Sequence, residues 1–190
     1  MRKYDIRGHI AELGRSSQNP VEGCIRELRQ RWFRTMFRSY CPWSLWCYGI
    51  PHVAKIMKIT ASFAANIQGR TPLEALTGET PDISQHLDFG FYDWVWFKED
   101  SGLGETKLSR FLGVSYQVRY LMSYWVLPDS GIPMSRTTVQ RVTNIESQTE
   151  QCKKIFSVYD KRIAERFNEK YIDADYLQNN NDKPAVKLWE

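Results

Sequence analysis

Between residues 20 and 39, apolar side chains recur at Val21, Ile25, Leu28, Trp32 and Met36. That spacing of three and four predicts a helix with one apolar stripe. Asn19 is a good N-cap, and Pro20 suits the first helical position, where its missing N–H is not needed. Cys41-Pro42 closes the run, because the residue before a proline disfavours helix. A second helix is predicted over 43–66, with Leu45, Trp46, Ile50, Val53, Ile56, Met57 and Phe63 mostly on one side. Pro51 should kink it or start a new turn. Two helices joined by so short a corner pack against each other.

A connector rich in Gly, Pro and Thr follows, with a short helix predicted at Pro72–Thr77. From Phe89 the period changes to two: Phe91, Asp93, Val95 and Phe97 alternate with Tyr92, Trp94 and Trp96, a strand with bulky residues on both faces. Further strands are expected at Phe111–Val118, Tyr120–Leu127 and Ile132–Val142, with Pro128-Asp129-Ser130-Gly131 as the turn of a hairpin. Residues 146–170 return to helical spacing, with Cys152, Ile155, Phe156, Tyr159, Ile163 and Phe167 facing one way. The fold class is therefore α+β: a helix pair, a small antiparallel β-barrel or meander, and a C-terminal helix. The expected divisions are helices in 1–67, connector in 68–88, a β-rich domain in 89–145, a helix in 146–172 and a disordered tail in 173–190.

Charge sharpens this picture. The net charge is only +4, but residues 1–40 carry nine Arg or Lys against four Asp or Glu, whereas 71–105 carry eight acids against one lysine. The first helix is the candidate polyanion contact, and the acidic middle would repel DNA. Arg31, Arg34 and Arg38 share a face and would either track phosphates without reading sequence or form a solvated face. Glu22, Arg26 and Arg29 share another, which brings a carboxylate and two guanidiniums together. Asn19-x-x-Glu22 is also close to a capping box, in which the glutamate reaches back to the N-cap N–H.

Tyr92, Trp94 and Trp96 are candidates for an aromatic surface, either a base-stacking platform or a cage for a methylated lysine, with core packing as the other reading. The acids nearby favour a basic ligand or protein partner over nucleic acid on that face. Cys41, Cys47 and His52 lack a standard zinc framework and read as buried small residues of the helix pair. No nucleophile–base pattern and no phosphate loop is present. Four cysteines without a C-x-x-C pair suit a reducing compartment, and no apolar run reaches membrane-spanning length. A nuclear or cytoplasmic location without a membrane partner is expected.

Several motifs in order carry a resemblance. Asn19-Pro20-Val21-Glu22 opens the first helix; Gly69-Arg70-Thr71-Pro72-Leu73-Glu74 precedes Thr77-Gly78-Glu79-Thr80-Pro81-Asp82-Ile83-Ser84. Leu87-Asp88-Phe89-Gly90-Phe91-Tyr92-Asp93-Trp94 follows, then Phe111-Leu112-Gly113-Val114-Ser115 and Ile132-Pro133-Met134-Ser135-Arg136-Thr137-Thr138-Val139. Over about residues 15–145 the chain resembles the C-terminal part of an integrase from copia-type LTR retrotransposons, similar to diatom elements.

The resemblance implies that the helix pair is the end of a truncated RNase H-like catalytic core. It implies that Glu22 is the last of three carboxylates that hold Mg²⁺ or Mn²⁺ in the complete enzyme, and that Arg26 and Arg29 contact the element's DNA end. Its implied partners are DNA and other integrase subunits. The two upstream aspartates are not found: Asp5 stands close before Glu22 without a strand-like pattern around it. One carboxylate cannot bridge two metals. The chain by itself is thus expected to bind no metal cofactor, to be inactive in strand transfer, and to retain nonspecific DNA binding.

Overall fold

Helix α1 spans Pro20–Ser39 in the computed structural model, which describes residues 20–62, 67–98, 104–116 and 122–167. Asn19 and the 173–190 tail lie outside those residues. The helix ends through a left-handed residue at Tyr40 (φ 54°), with Cys41 N–H donating to Met36 O and Tyr40 N–H to Phe37 O. This Schellman pattern satisfies two carbonyls of the last turn and turns the chain sharply into Pro42. After a short 3₁₀ turn at Trp43–Leu45, helix α2 runs over Trp46–Ile59, straight through Pro51.

Helix α2 stops well short of the expected residue 66. Thr60 is extended, and the Ser62 backbone pairs with Gly69 and Arg70 instead of continuing the helix. Helices α1 and α2 meet at Gly49, where a Cβ would sit only 2.7 Å from Met36 Sδ and 3.1 Å from Trp32 Nε1. A glycine is what permits that approach. Helix α3 forms at Pro72–Thr77 as the sequence predicts. Its capping box is complete: Glu74 N–H donates to Thr71 Oγ1 at 3.0 Å, and Thr71 N–H donates to the Glu74 carboxylate at 3.4 Å.

Five antiparallel strands follow: β1 (Trp94–Lys98), β2 (Thr106–Val114), β3 (Tyr124–Pro128), β4 (Met134–Arg136) and β5 (Val139–Arg141). Their order is β4-β3-β2-β1-β5, a four-strand meander followed by a fifth strand that returns to the outer side of β1. Strand β2 begins earlier than the sequence suggests, and the single strand expected over Ile132–Val142 is two short ones. Thr137 and Thr138 carry the chain from one edge of the sheet to the other. Such a link reaches at most ~11 Å, whereas the outer strands of a flat five-stranded sheet lie ~19 Å apart. The sheet is therefore strongly curled. Its register shift between Phe111 and Gly113, with Gly113 at φ 124°, supplies a bend in β2. It is nevertheless an open sheet: no β4–β5 pairing closes it into a barrel among the described residues.

Both faces of the sheet are buried. Alternation along β1 to β3 sends Val95, Phe97, Phe111 and Val126 to one side, where they pack with Phe89 and Tyr124. Leu112 and Leu127 point the other way, into a cluster with Met36, Cys41, Leu45, Phe91, Tyr92, Tyr159 and Ile163. That second cluster joins residues from before and after the 68–88 connector, so the helix pair and the sheet share one core.

The C-terminal helical region divides at Thr149 into α4 (Asn144–Gln148) and α5 (Glu150–Phe167). Thr149 is extended, and its hydroxyl accepts from Cys152 N–H, which caps α5. Helix α5 packs through Cys152, Tyr159 and Ile163, and Tyr159 donates its hydroxyl hydrogen to Leu127 O at 2.6 Å. Ile155, assigned to the buried face from its spacing, is exposed. The turn closed by Gly131 N–H donating to Pro128 O sits under this helix, where Arg162 pairs with Asp129.

Candidate nucleic-acid interface

Helix α1 is anchored by its second half only. Trp32, Phe33, Met36 and Phe37 are at least partly buried, whereas from Val21 to Arg31 every residue except Leu28 is exposed. The physical reason lies in the stripe itself: only its C-terminal end meets α2, through Gly49, and the shared core. The first three turns consequently present their polar faces, and part of their apolar stripe, to solvent.

All five arginines singled out from the sequence are exposed. Arg26 and Arg29 lie with Glu22 on one face of α1, and Arg31, Arg34 and Arg38 lie on the opposite side. Arg31 makes a one-turn ion pair with Glu27 at 2.6 Å, so part of its charge is already balanced. The other four present extended cationic side chains on an exposed helix, an arrangement suited to phosphate oxygens.

Glu22 is exposed as well. No group of three His, Cys, Asp or Glu that could hold a metal ion occurs among the described residues. A divalent ion of the Mg²⁺ type needs several oxygen ligands, and one solvated carboxylate does not fit a two-metal centre. The alternative role of Glu22 as half of a capping box depends on Asn19, which lies outside the described residues.

The aromatic surface requires correction. Tyr92 precedes β1 with a left-handed backbone (φ 66°) and is no open surface: it is buried in the shared core, against which Trp94 also packs, and Arg110 lies 4.7 Å from its ring centroid. Trp94 is taken from two sides. Arg110 lies 3.4 Å above its ring centroid, and Phe156 of α5 stacks at 4.3 Å, a separation that places the two on opposite faces. Arg110 also donates to Tyr92 O at 3.1 Å and to Asp160 at 3.2 Å. The cation that an aromatic cage would recruit is thus supplied from within the chain, and it fastens α5 to the sheet. Trp96 hydrogen-bonds to Glu146, whose carboxyl is held below its usual range chiefly by the backbone N–H and hydroxyl of Thr143. Among the described residues, Tyr92, Trp94 and Trp96 form no open cage. Sequence reasoning missed Arg110 because an arginine between Ser109 and Phe111 in an amphipathic strand carries no mark of what lies across from it.

Cys41 is buried in the shared core as expected, whereas Cys47, expected to be buried on the helix pair, is exposed. His52 instead lies against Phe91 and Phe111, with ring centroids 5.1 and 6.3 Å away. Its Nδ1 and that of His86 are buried without a hydrogen-bond partner. Burial, reinforced by His86, pushes the His52 pKa down to about 4 from 6.5; burial and then Lys55 lower that of His86. Below pH 6.5 the unfolded chain takes up a proton at His52 that the folded chain refuses until about pH 4. Stability present above pH 6.5 should therefore decline as the solution is acidified through that window, by up to about 3 kcal/mol from His52. Urea midpoints at pH 7 and pH 5 measure this, and His52→Gln should flatten the difference.

No helix among the described residues is long and apolar enough to cross a membrane. No family model, no curated protein and no solved structure matches this chain.

Proposed function

We propose that this chain is a DNA-binding portion of a retrotransposon integrase that does not catalyse strand transfer by itself. In this reading α1 and α2 are the last helices of an RNase H-like core, and the curled sheet with its returning fifth strand is a small barrel that lacks only its final closure. One observation carries the binding proposal: the first half of α1 stands in solvent with Arg26 and Arg29 on one side and Arg34 on the other, and Arg38 extends that second face. Guanidiniums so placed neutralise phosphates on a duplex without touching base edges, so affinity should be salt-dependent and indifferent to sequence. The resemblance of the ordered motifs to those of copia-type integrases, Glu22 at the helix start included, supports that ancestry.

Fluorescence anisotropy with labelled duplexes of unrelated sequence, at ~50 mM salt, tests the reading, together with a joining assay in Mg²⁺. Binding of all duplexes alike, without joined products, is the expected result. Absence of binding at low salt removes DNA as the partner. Mg²⁺-dependent joining would show that the chain contains a complete metal centre and would overturn the assignment of an inactive portion.

A further inference from the structure

The stretch from Gly78 to Asp88 is fastened to the rest of the chain at few points. Only Pro81, Gln85 and His86 in it are even partly buried, and its one regular element is the 3₁₀ turn Ser84–His86. His86 is therefore one of its anchors. Its ring lies near enough to His52 of α2 to act on it, and Lys55, one turn further along α2, acts on His86. The backbone of β2 passes over His52: a Cβ on Gly113 would stand 3.5 Å from His52 Nδ1. Both Nδ1 atoms are buried without a hydrogen-bond partner.

Among the described residues no acid acts on either ring. Helix α2 carries none, and its other charged residues are Lys55 and Lys58. Strand β2 carries only Lys107 and Arg110. Lys55 Nζ lies 5.1 Å from the Tyr116 ring centroid. Nearby carboxylates are engaged elsewhere: Glu74 in the α3 cap, Asp82 with the N–H and hydroxyl of Ser84, and Asp93 with Gly90 N–H, while Asp88 acts on Tyr124.

We propose that His52 and His86 form an acid-released latch: protonation gathers uncompensated positive charge between α2 and the connector and frees the turn at Ser84–His86. The release is local, because nothing between Gly78 and Asp88 belongs to either core cluster. It is thus separate from the loss of whole-chain stability on acidification, and it does not rest on the DNA reading. Burial lowers both histidine pKa values from 6.5. A ring freed by opening regains its ordinary value, so below pH 6.5 the open form takes up a proton that the docked form refuses. Opening then gains up to about tenfold per pH unit for each freed ring. It bares a face of α2 that carries Lys55 and a charged His52.

Hydrogen exchange of the full chain at pH 7 and pH 5, corrected for the intrinsic effect of pH on exchange, tests the latch. The reporters are His86 N–H, which donates to Ile83 O, and Leu87 N–H, which donates to Ser84 O. The amides of α5 are the reference. Reporter protection should fall about tenfold or more on acidification while that of α5 holds. His86→Gln cannot take up a proton and should abolish the fall. His86→Lys should open the turn already at pH 7. Lys55→Gln leaves the turn itself untouched and removes the cation that opposes protonation of His86, so its fall should be smaller than the wild type's. No fall in the wild type, a fall shared equally by α5, or an undiminished fall in His86→Gln or Lys55→Gln would each overturn the proposal.

Discussion

Replacing Leu112 by alanine should destabilise the whole chain by about 2–5 kcal/mol, the range for removing a large aliphatic side chain from a packed core. Leu112 is fully buried on the face of β2 that meets Met36, Cys41 and Leu45 of the helix pair, Leu127 of β3, and Tyr159 and Ile163 of α5. Its loss leaves a cavity bordered by three different layers, and no single layer can collapse to fill it. Since a domain of this size holds only about 5–15 kcal/mol in total, the change is large. Far-ultraviolet circular dichroism, which follows the helices, and tryptophan fluorescence should report one coincident urea transition, shifted by the same amount in the variant. Two transitions, with the helical one unmoved, would mean that the helix pair folds without the sheet.

That prediction could not have been made from the sequence. The periods identified α1 and α3 by their bounds, and they showed that β1 carries bulky residues on both faces. Local chemistry settles such features: a capping box, a proline at a helix start, alternation in a strand. What the pattern does not carry is which surfaces meet. Residues 68–88 are rich in turn residues and invite a domain boundary, yet Met36 and Leu112 from either side of them share a core. The run Ile132–Val142 has continuous strand propensity, but the curl of the sheet requires it to change edges at Thr137-Thr138. Period two extends the strand pattern back to Tyr92, whereas a left-handed backbone interrupts it there and the shared core buries the ring.

The candidate site was legible to a similar extent. The arginines of α1 are solvent-facing, as an amphipathic reading implies, because helical periodicity separates them from the apolar stripe. The aromatic cluster was legible as residues but not as a role. Only the structure shows that Arg110 from β2 and Phe156 from α5 occupy Trp94.

Changing Arg26, Arg29, Arg34 and Arg38 together to alanine should reduce DNA affinity by about a hundredfold or more at ~50 mM salt. All four side chains are exposed and on a helix that alanine favours, so the fold should be preserved. Each guanidinium that neutralises a phosphate releases condensed counterions, and the logarithm of affinity falls with the logarithm of salt by about 0.9 per contact. The loss should therefore be steepest at low salt and shrink as salt rises. Arg31 is left in place because its ion pair with Glu27 makes it the weakest contributor of the five.

The measurement that tests this most directly is the salt dependence of duplex affinity for the wild type and this fourfold variant, taken side by side. A role for α1 as the phosphate-contacting element predicts that the variant's slope is shallower by about 3–4, for every duplex sequence alike. Equal slopes for the two proteins would contradict it and place the DNA contact elsewhere.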